Sequence, residues 1–255
     1  MEHSGPEISL KAEPIFHLGN FAVTNSLLLA TLAVALFCAV IVLSRKKFAL
    51  IPSKIQNVIE YVLEQLLELM ESVLGSRALS EKYLPLVATI FLFVMVSNWL
   101  GLMPGVGSLL IHSGEHGFVP LLRAPAADLN FTLGLAIVVV LAINVIGVAA
   151  LGIRGHASKF FNFKNPILFA VGLLELVSEF ARMVSFSFRL FGNIFAGEVL
   201  LLIIAFLTPY LVPLPFLFLE IFVGFIQAFI FAMLTLVFIA SAVSSHDEAE
   251  HAPAH

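Results

Sequence analysis

Arg189 lies within a run too apolar to leave a membrane. Phe186, Ser187 and Phe188 precede it, and Leu190, Phe191, Gly192, Asn193, Ile194, Phe195, Ala196, Gly197 and Glu198 follow. A charge at the centre of a membrane helix costs about 2.5–3.5 kcal/mol on insertion scales. Guanidinium groups do not escape that cost by losing a proton. The chemistry open to such a residue is that of a counter-ion, a gate or part of an ion path. On a wheel of about 100° per residue with Arg189 at zero, Glu175 falls near +40°, Ser178 near −20° and Arg182 near +20°. Ser185 falls near about −40° and Asn193 near +40°, so six polar residues share one narrow face of an otherwise Phe-, Leu- and Val-rich segment. Glu198 points to the opposite side.

A second pair of carboxylates is set by the turn that follows. Thr208, Pro209, Val212, Pro213 and Pro215 end the segment and start a return helix carrying Glu220 and Gln227 on one face. Counted from the turn, Glu220 reaches the depth of Glu198, and Gln227 approaches that of Asn193 and Arg189. Two buried carboxylates sharing a site do not easily both ionise, so the pair would hold a proton between them and could relay it. A static ion pair fixing helix packing is the alternative reading of Arg189 and its acidic neighbours. It gives no account of Ser178, Asn193 and Gln227, which an apolar interface does not need.

Other polar residues carry weaker signals. Asp128 and Asn130 open a span, where an ordinary helix N-cap and an entrance to an ion path are both open from spacing. Asn98 and Asn144 fall inside spans and read as bonds to neighbouring helices. His112 and His116 read as solvated loop residues. No phosphate-binding glycine loop, nucleophile elbow or metal-ligand cluster is present, so no cofactor and no covalent chemistry are expected. Cys38 is the single cysteine and sits in an apolar run as a small hydrophobe.

The elements that must position these residues follow from hydropathy. With 60% hydrophobic and 12% charged residues and a mean hydropathy of +1.04, the chain reads as an all-α, polytopic membrane protein in a single domain. Membrane-crossing segments are expected at about 24–43, 84–104, 128–153, 166–207 and 213–243, each long enough for the ~20 residues a bilayer core requires. In the stretch 53–76, Gln56, Glu60, Glu64, Glu68 and Glu71 alternate with Ile59, Val62, Leu63, Leu66, Leu67 and Met70. That pattern predicts an amphipathic helix on the inner surface or against a partner, with its acidic stripe in solvent. The segment 166–207 would run to ~63 Å as one helix against a ~30 Å core, so the C-terminal helical hairpin is expected to be strongly tilted. The last residues, 244–255, read as a disordered tail.

Charge sets the orientation. Arg45, Lys46, Lys47, Lys54, Arg77, Lys82, Arg154, Lys159 and Lys164 fall in alternate connections, against Lys11 and Arg123 in the others. The positive-inside rule then puts the N-terminus outside and the C-terminus inside. The acidic first twenty residues do not resemble a secretory or transit leader, so the first apolar run is expected to be retained, in a bacterial inner membrane. A net charge of −4 gives no nucleic-acid footprint.

Arg189, Leu190, Phe191, Gly192 and Asn193, followed by Ala196, Gly197 and Glu198, resemble the signature of subunit a of F-type ATP synthases. Asn98 to Pro104 (Asn-Trp-Leu-Gly-Leu-Met-Pro), Asp128-Leu129-Asn130 and Gln227-Ala228-Phe229 are similar to other motifs of that family, in its order and spacing. The resemblance implies a proton-translocating stator subunit facing a rotating c-subunit ring, held with peripheral-stalk b subunits in the membrane. Arg189 would oppose the ring carboxylate and separate two offset half-channels. Entry from outside would use Asp128, Asn130, Asn193, Glu198, Glu220 and Gln227, and exit Glu175 and Ser178. Many family members carry histidine at the position of Glu220, so the shared-proton pair is an inference from this chain. A sodium-coupled synthase is a variant of the same reading. A secondary transporter would predict internal repeats and glycine-broken helices, and no repeat is found. A purely structural anchor would predict that Arg189 is replaceable.

Overall fold

The computed structural model describes residues 11–19, 21–45, 54–113, 117–160, 166–208 and 211–244. Six α-helices carry it: α1 Asn25–Arg45, α2 Lys54–Leu74, α3 Arg77–Gly101, α4 Leu129–Phe160, α5 Pro166–Leu207 and α6 Pro213–Ser244. All but α2 are long and apolar enough to cross a membrane, five candidate spans among the described residues. Of the tail expected over 244–255, Ser244 ends α6 and the remainder lies outside the described residues, as do Lys46, Lys47, Lys164 and His116.

Several boundaries differ from the hydropathy windows. Helix α3 starts at Arg77, because its first turns are polar (Ser80, Glu81, Lys82) and fall below an apolar threshold while remaining good helix. Helix α4 extends to Phe160, but Gly152 within it has φ 75° and ψ 160°, a conformation open essentially to glycine. Beyond Gly152 the chain folds back. His156 Nε2 meets Asn144 Oδ1 at 2.9 Å, and a Cβ on Gly147 would press on the His156 ring. Asn144 also donates to its own helix at the Val140 carbonyl, 2.9 Å away.

Helix α2 packs its apolar stripe within the chain rather than lying apart. Leu66, Leu67 and Met70 are buried, and α3 and α6 cover them. Its acidic stripe is partly paired: Arg77 at the start of α3 reaches Glu64 at 2.9 Å, Glu71 at 3.5 Å and Glu81 at 3.2 Å. These groups are solvent-exposed, so the network fixes the α2–α3 turn more than it stabilises the fold.

Two short β-hairpins among the described residues, one ahead of α1 and one between α3 and α4, are absent from the all-α expectation. Strands β1 (Pro14–Leu18) and β2 (Phe21–Thr24) pair antiparallel. Between α3 and α4 lie β3 (Pro104–Gly107), β4 (Leu110–Ser113) and β5 (Gly117–Pro120), with β4 and β5 antiparallel. Segments of four or five residues broken by Gly and Pro carry too little periodicity to be read as strands. Asn25, fully buried, ties the two hairpins: its Oδ1 accepts from the Glu13 N–H at 3.2 Å, and its Nδ2 donates to the Pro120 carbonyl at 3.2 Å.

The core lies among α3, α4, α5 and α6. Ala228 and Ala232, one turn apart on α6, are fully buried and allow close helix approach. Phe186 of α5 sits 4.8 Å from Phe231 and 5.6 Å from Phe238, measured between ring centres. At the other end of α5, Gly197 is covered by Glu220. Helices α5 and α6 therefore run antiparallel. Asn98, only 2% exposed, donates to the Gly224 carbonyl at 3.1 Å, and the Trp99 indole donates to the Ile221 carbonyl at 3.0 Å. These two bonds pin α3 to α6 beside the site.

Candidate functional site

The polar residues of α5 divide into three groups along its length. Nearest its N-terminus is a paired cluster. Arg182 reaches Glu179 at 2.9 Å and Glu175 at 3.6 Å, and its guanidinium stacks 4.3 Å from the Phe238 ring centre. Ser178 is exposed one turn away.

Arg189 forms the middle group. It is exposed, as are Ser185 and Asn193, and its hydrogen bond runs to Ser185 Oγ at 3.3 Å. Among the described residues no carboxylate pairs with it, so the static ion pair is absent. Gln227 is buried at 8% exposure on α6 and makes no hydrogen bond to Arg189 among the described residues. Beside Arg189, an adjoining flank of α5 is apolar: Phe186, Leu190 and Ile194 are buried against a core that includes Ala228, Phe231 and Ala232. One polar contact crosses the α4–α5 interface there, Thr132 to Ser187 at 3.0 Å between hydroxyls.

The third group surrounds a cavity of about 620 Å³ at the hairpin end. Glu13, Glu198 and Glu220 all line it, with Asn98 and residues of the β3–β5 segment. The structure brings Glu198 and Glu220 to one cavity but treats them differently. Glu198 pairs with Arg123 at 3.3 Å, whereas Glu220, 5% exposed, makes no hydrogen bond among the described residues and rests against Gly197. Only glycine leaves room for that carboxylate.

Asp128 takes the N-cap position of α4. Its Oδ1 accepts from the Asn130 backbone N–H at 3.0 Å and side-chain amide at 3.3 Å, while Oδ2 accepts from Ser26 Oγ at 2.7 Å. The cap thus also ties α4 to α1. Neither Asp128 nor Asn130 lines the cavity.

Arg123 is the site residue that the sequence did not single out. It counts there only as one of two cations in the acidic connections, yet it is 6% exposed and faces Glu198. Its rarity in those connections was the available signal. The Thr132–Ser187 bond had none, because both residues look like ordinary helix positions.

Comparison with known proteins identifies the family. Residues 26–240 match the family pattern described as ATP synthase A chain. A protein of Moorella thermoacetica described as ATP synthase subunit a is 33% identical over 232 residues, covering 91% of this chain and 96% of the relative. One of Campylobacter fetus subsp. fetus with the same description is 36% identical over 245 residues, 95% of this chain and 99% of the relative. A third, from Campylobacter jejuni subsp. doylei, is 38% identical over 213 residues, 82% and 86% respectively. With the family pattern covering most of the chain and the relatives matched nearly end to end, this chain belongs to the ATP synthase subunit a family.

Proposed function

We propose that this chain is the proton-translocating stator subunit of a rotary ATP synthase. It acts within a complex and is not itself the catalyst of ATP chemistry. Its partners are a ring of c subunits and the peripheral-stalk b subunits. The observation that carries this reading is Arg189: exposed near the middle of the 42-residue α5, with no carboxylate partner of its own among the described residues. A permanent cation on an uncovered membrane helix calls for an anion supplied by another chain.

The spacing along α5 supports two half-channels. At 1.5 Å per residue, Glu198 stands ~13 Å from Arg189 on one side and Glu175 ~21 Å on the other. The entry route runs through the hairpin-end cavity by Glu198 and Glu220, then toward Gln227 and Asn193, with Asp128 and Asn130 on the same side. The exit route passes Glu175 and Ser178. Between them, the buried Phe186 and Leu190 exclude water from the α5–α6 interface, and Arg189 bars the ring-facing side.

The electrostatics then dictate direction. A ring carboxylate brought opposite a fixed guanidinium is favoured in its ionised form and releases its proton. Turning onward into lipid requires a new proton, because an ionised carboxylate there is expensive. Each proton contributes ~2.3 kcal/mol per 100 mV, so several must be summed by rotation to drive one ATP. A strong tilt of α5 would give this chain a broad face for a cylindrical ring, and its exposed Leu173, Val177, Phe180 and Phe188 fit such a partner or lipid. The hairpin end faces outside and α2 faces inside, in a bacterial inner membrane.

The test is ATP-driven proton pumping by the assembled complex carrying Arg189→Ala, with passive leak measured alongside. Pumping should vanish while the complex remains intact. Normal coupled pumping would reduce Arg189 to a packing residue and overturn the reading.

A further inference from the structure

The two membrane carboxylates of the cavity differ in one respect that their sequence positions do not explain. Glu220 has no polar partner among the described residues, whereas Glu198 is held from outside its own helix. Arg123 Nε donates to Glu198 Oε2 at 3.4 Å and lies within ion-pair distance of Oε1, 3.3 Å away. Its Nη1 donates to the Lys11 carbonyl at 3.1 Å, and its guanidinium lies 5.8 Å from the ring centre of Phe195, one turn back on α5. The backbone behind it is fixed. Ala124, Ala126 and Ala127 are buried, and Ala124 fills the space a side chain on Gly101 would need.

We propose that Arg123 is a positioning residue for proton entry: it holds the Glu198 carboxylate toward the cavity and toward Glu220, and it stays charged while protons pass. This deepens the proposed function and rests on Glu198 being a proton-carrying group. A glutamate side chain has three rotatable bonds, and an unheld carboxylate beside so roomy a cavity samples orientations from which transfer fails. Arginine suits the task because one planar group carries several donors, so Nε meets Glu198 while Nη1 meets the Lys11 carbonyl. The Lys11 carbonyl makes the N-terminal segment part of the same clamp. Glu13, two residues on, lines the cavity from that segment and lies within electrostatic reach of Glu198.

The test compares R123M, R123Q, R123K and E198Q in the assembled complex by ATP-driven proton pumping normalised to assembled enzyme. R123M should lower coupled flux by about 10- to 100-fold, the usual consequence of a misplaced reacting group. R123K should restore flux to within several-fold of wild type, which a mere packing role would not produce. If R123M fails to assemble, R123Q carries the comparison, since it keeps a donor for the Lys11 carbonyl but no charge. Normal pumping by R123M or R123Q beside a silent E198Q would overturn the inference and leave the proposed function intact. Normal pumping by E198Q would instead remove Glu198 from the proton path. A low R123M flux with no rescue by R123K, or failure of both neutral variants to assemble, would make Arg123 a structural residue and overturn the inference.

Discussion

Arg182 and Arg189 lie seven residues apart on one face of α5, yet Arg182 is held by Glu179, Glu175 and the Phe238 ring while Arg189 touches only the Ser185 hydroxyl among the described residues. The contrast separates a structural cation from an available one. Two side chains of the same type at nearly the same helical angle have different fates because only one has carboxylates within its own two turns.

The first prediction follows from that contrast. Arg182→Ala removes the cation that the partly buried Glu179 and Glu175 share, and it should cost about 1–3 kcal/mol of stability. The complex should assemble less well or melt at lower temperature. Proton flux per assembled enzyme should fall far less than for Arg189→Ala. Equal loss of flux per enzyme in both variants would contradict the division of roles.

The α3–α6 pin gives a second. Asn98→Leu removes the bond to the Gly224 carbonyl and should destabilise the helix pair by about 0.6–1.7 kcal/mol, the range found for interhelical hydrogen bonds in membranes. A thermal-shift series on the complex, with Trp99→Phe as companion, would measure it. An Asn98→Leu variant as stable as wild type would show that the bond merely replaces one made in the separated helices.

The reversal in α4 gives a third. Gly152 has φ 75°, so Gly152→Ala is strained by about 1–3 kcal/mol and should weaken the segment folded back through His156. Local opening would then rise by about tenfold or more. Trypsin cleavage after Arg154 or Lys159 in membrane vesicles open on that side reports this directly. An unchanged cleavage rate would mean that the contacts of His156 dominate the backbone preference.

Much of this architecture was legible because the membrane imposes length and apolarity on every span, and the bounds of α5 coincide with its apolar run at Pro166 and Leu207. The charged face containing Glu175, Arg182 and Arg189 was also legible, since helical periodicity fixes angle. What periodicity does not fix is partner choice between elements far apart in sequence. Arg123 lies 75 positions from Glu198, and Asn25 lies 95 from Pro120. Gly152 was hidden for a different reason: hydropathy averages over a window and does not register the one residue whose backbone turns the chain.

The closest approach at the cavity yields the last prediction. The Glu220 carboxylate occupies the space where a side chain on Gly197 would begin, so Gly197→Ala must displace it. Glu220 is buried and unpaired, and no hydrogen bond among the described residues guides it to a new position. Coupled proton flux should therefore fall by about 10-fold or more. Shortening the acid should compensate, because aspartate withdraws the carboxylate by one methylene, about 1.5 Å, and makes room for the new methyl group. The double variant Gly197→Ala with Glu220→Asp should pump faster than Gly197→Ala alone, although Glu220→Asp alone should pump slower than wild type. That reversal of sign arises only if the two residues share the same space. Additive losses would place Glu220 away from Gly197 in the working complex.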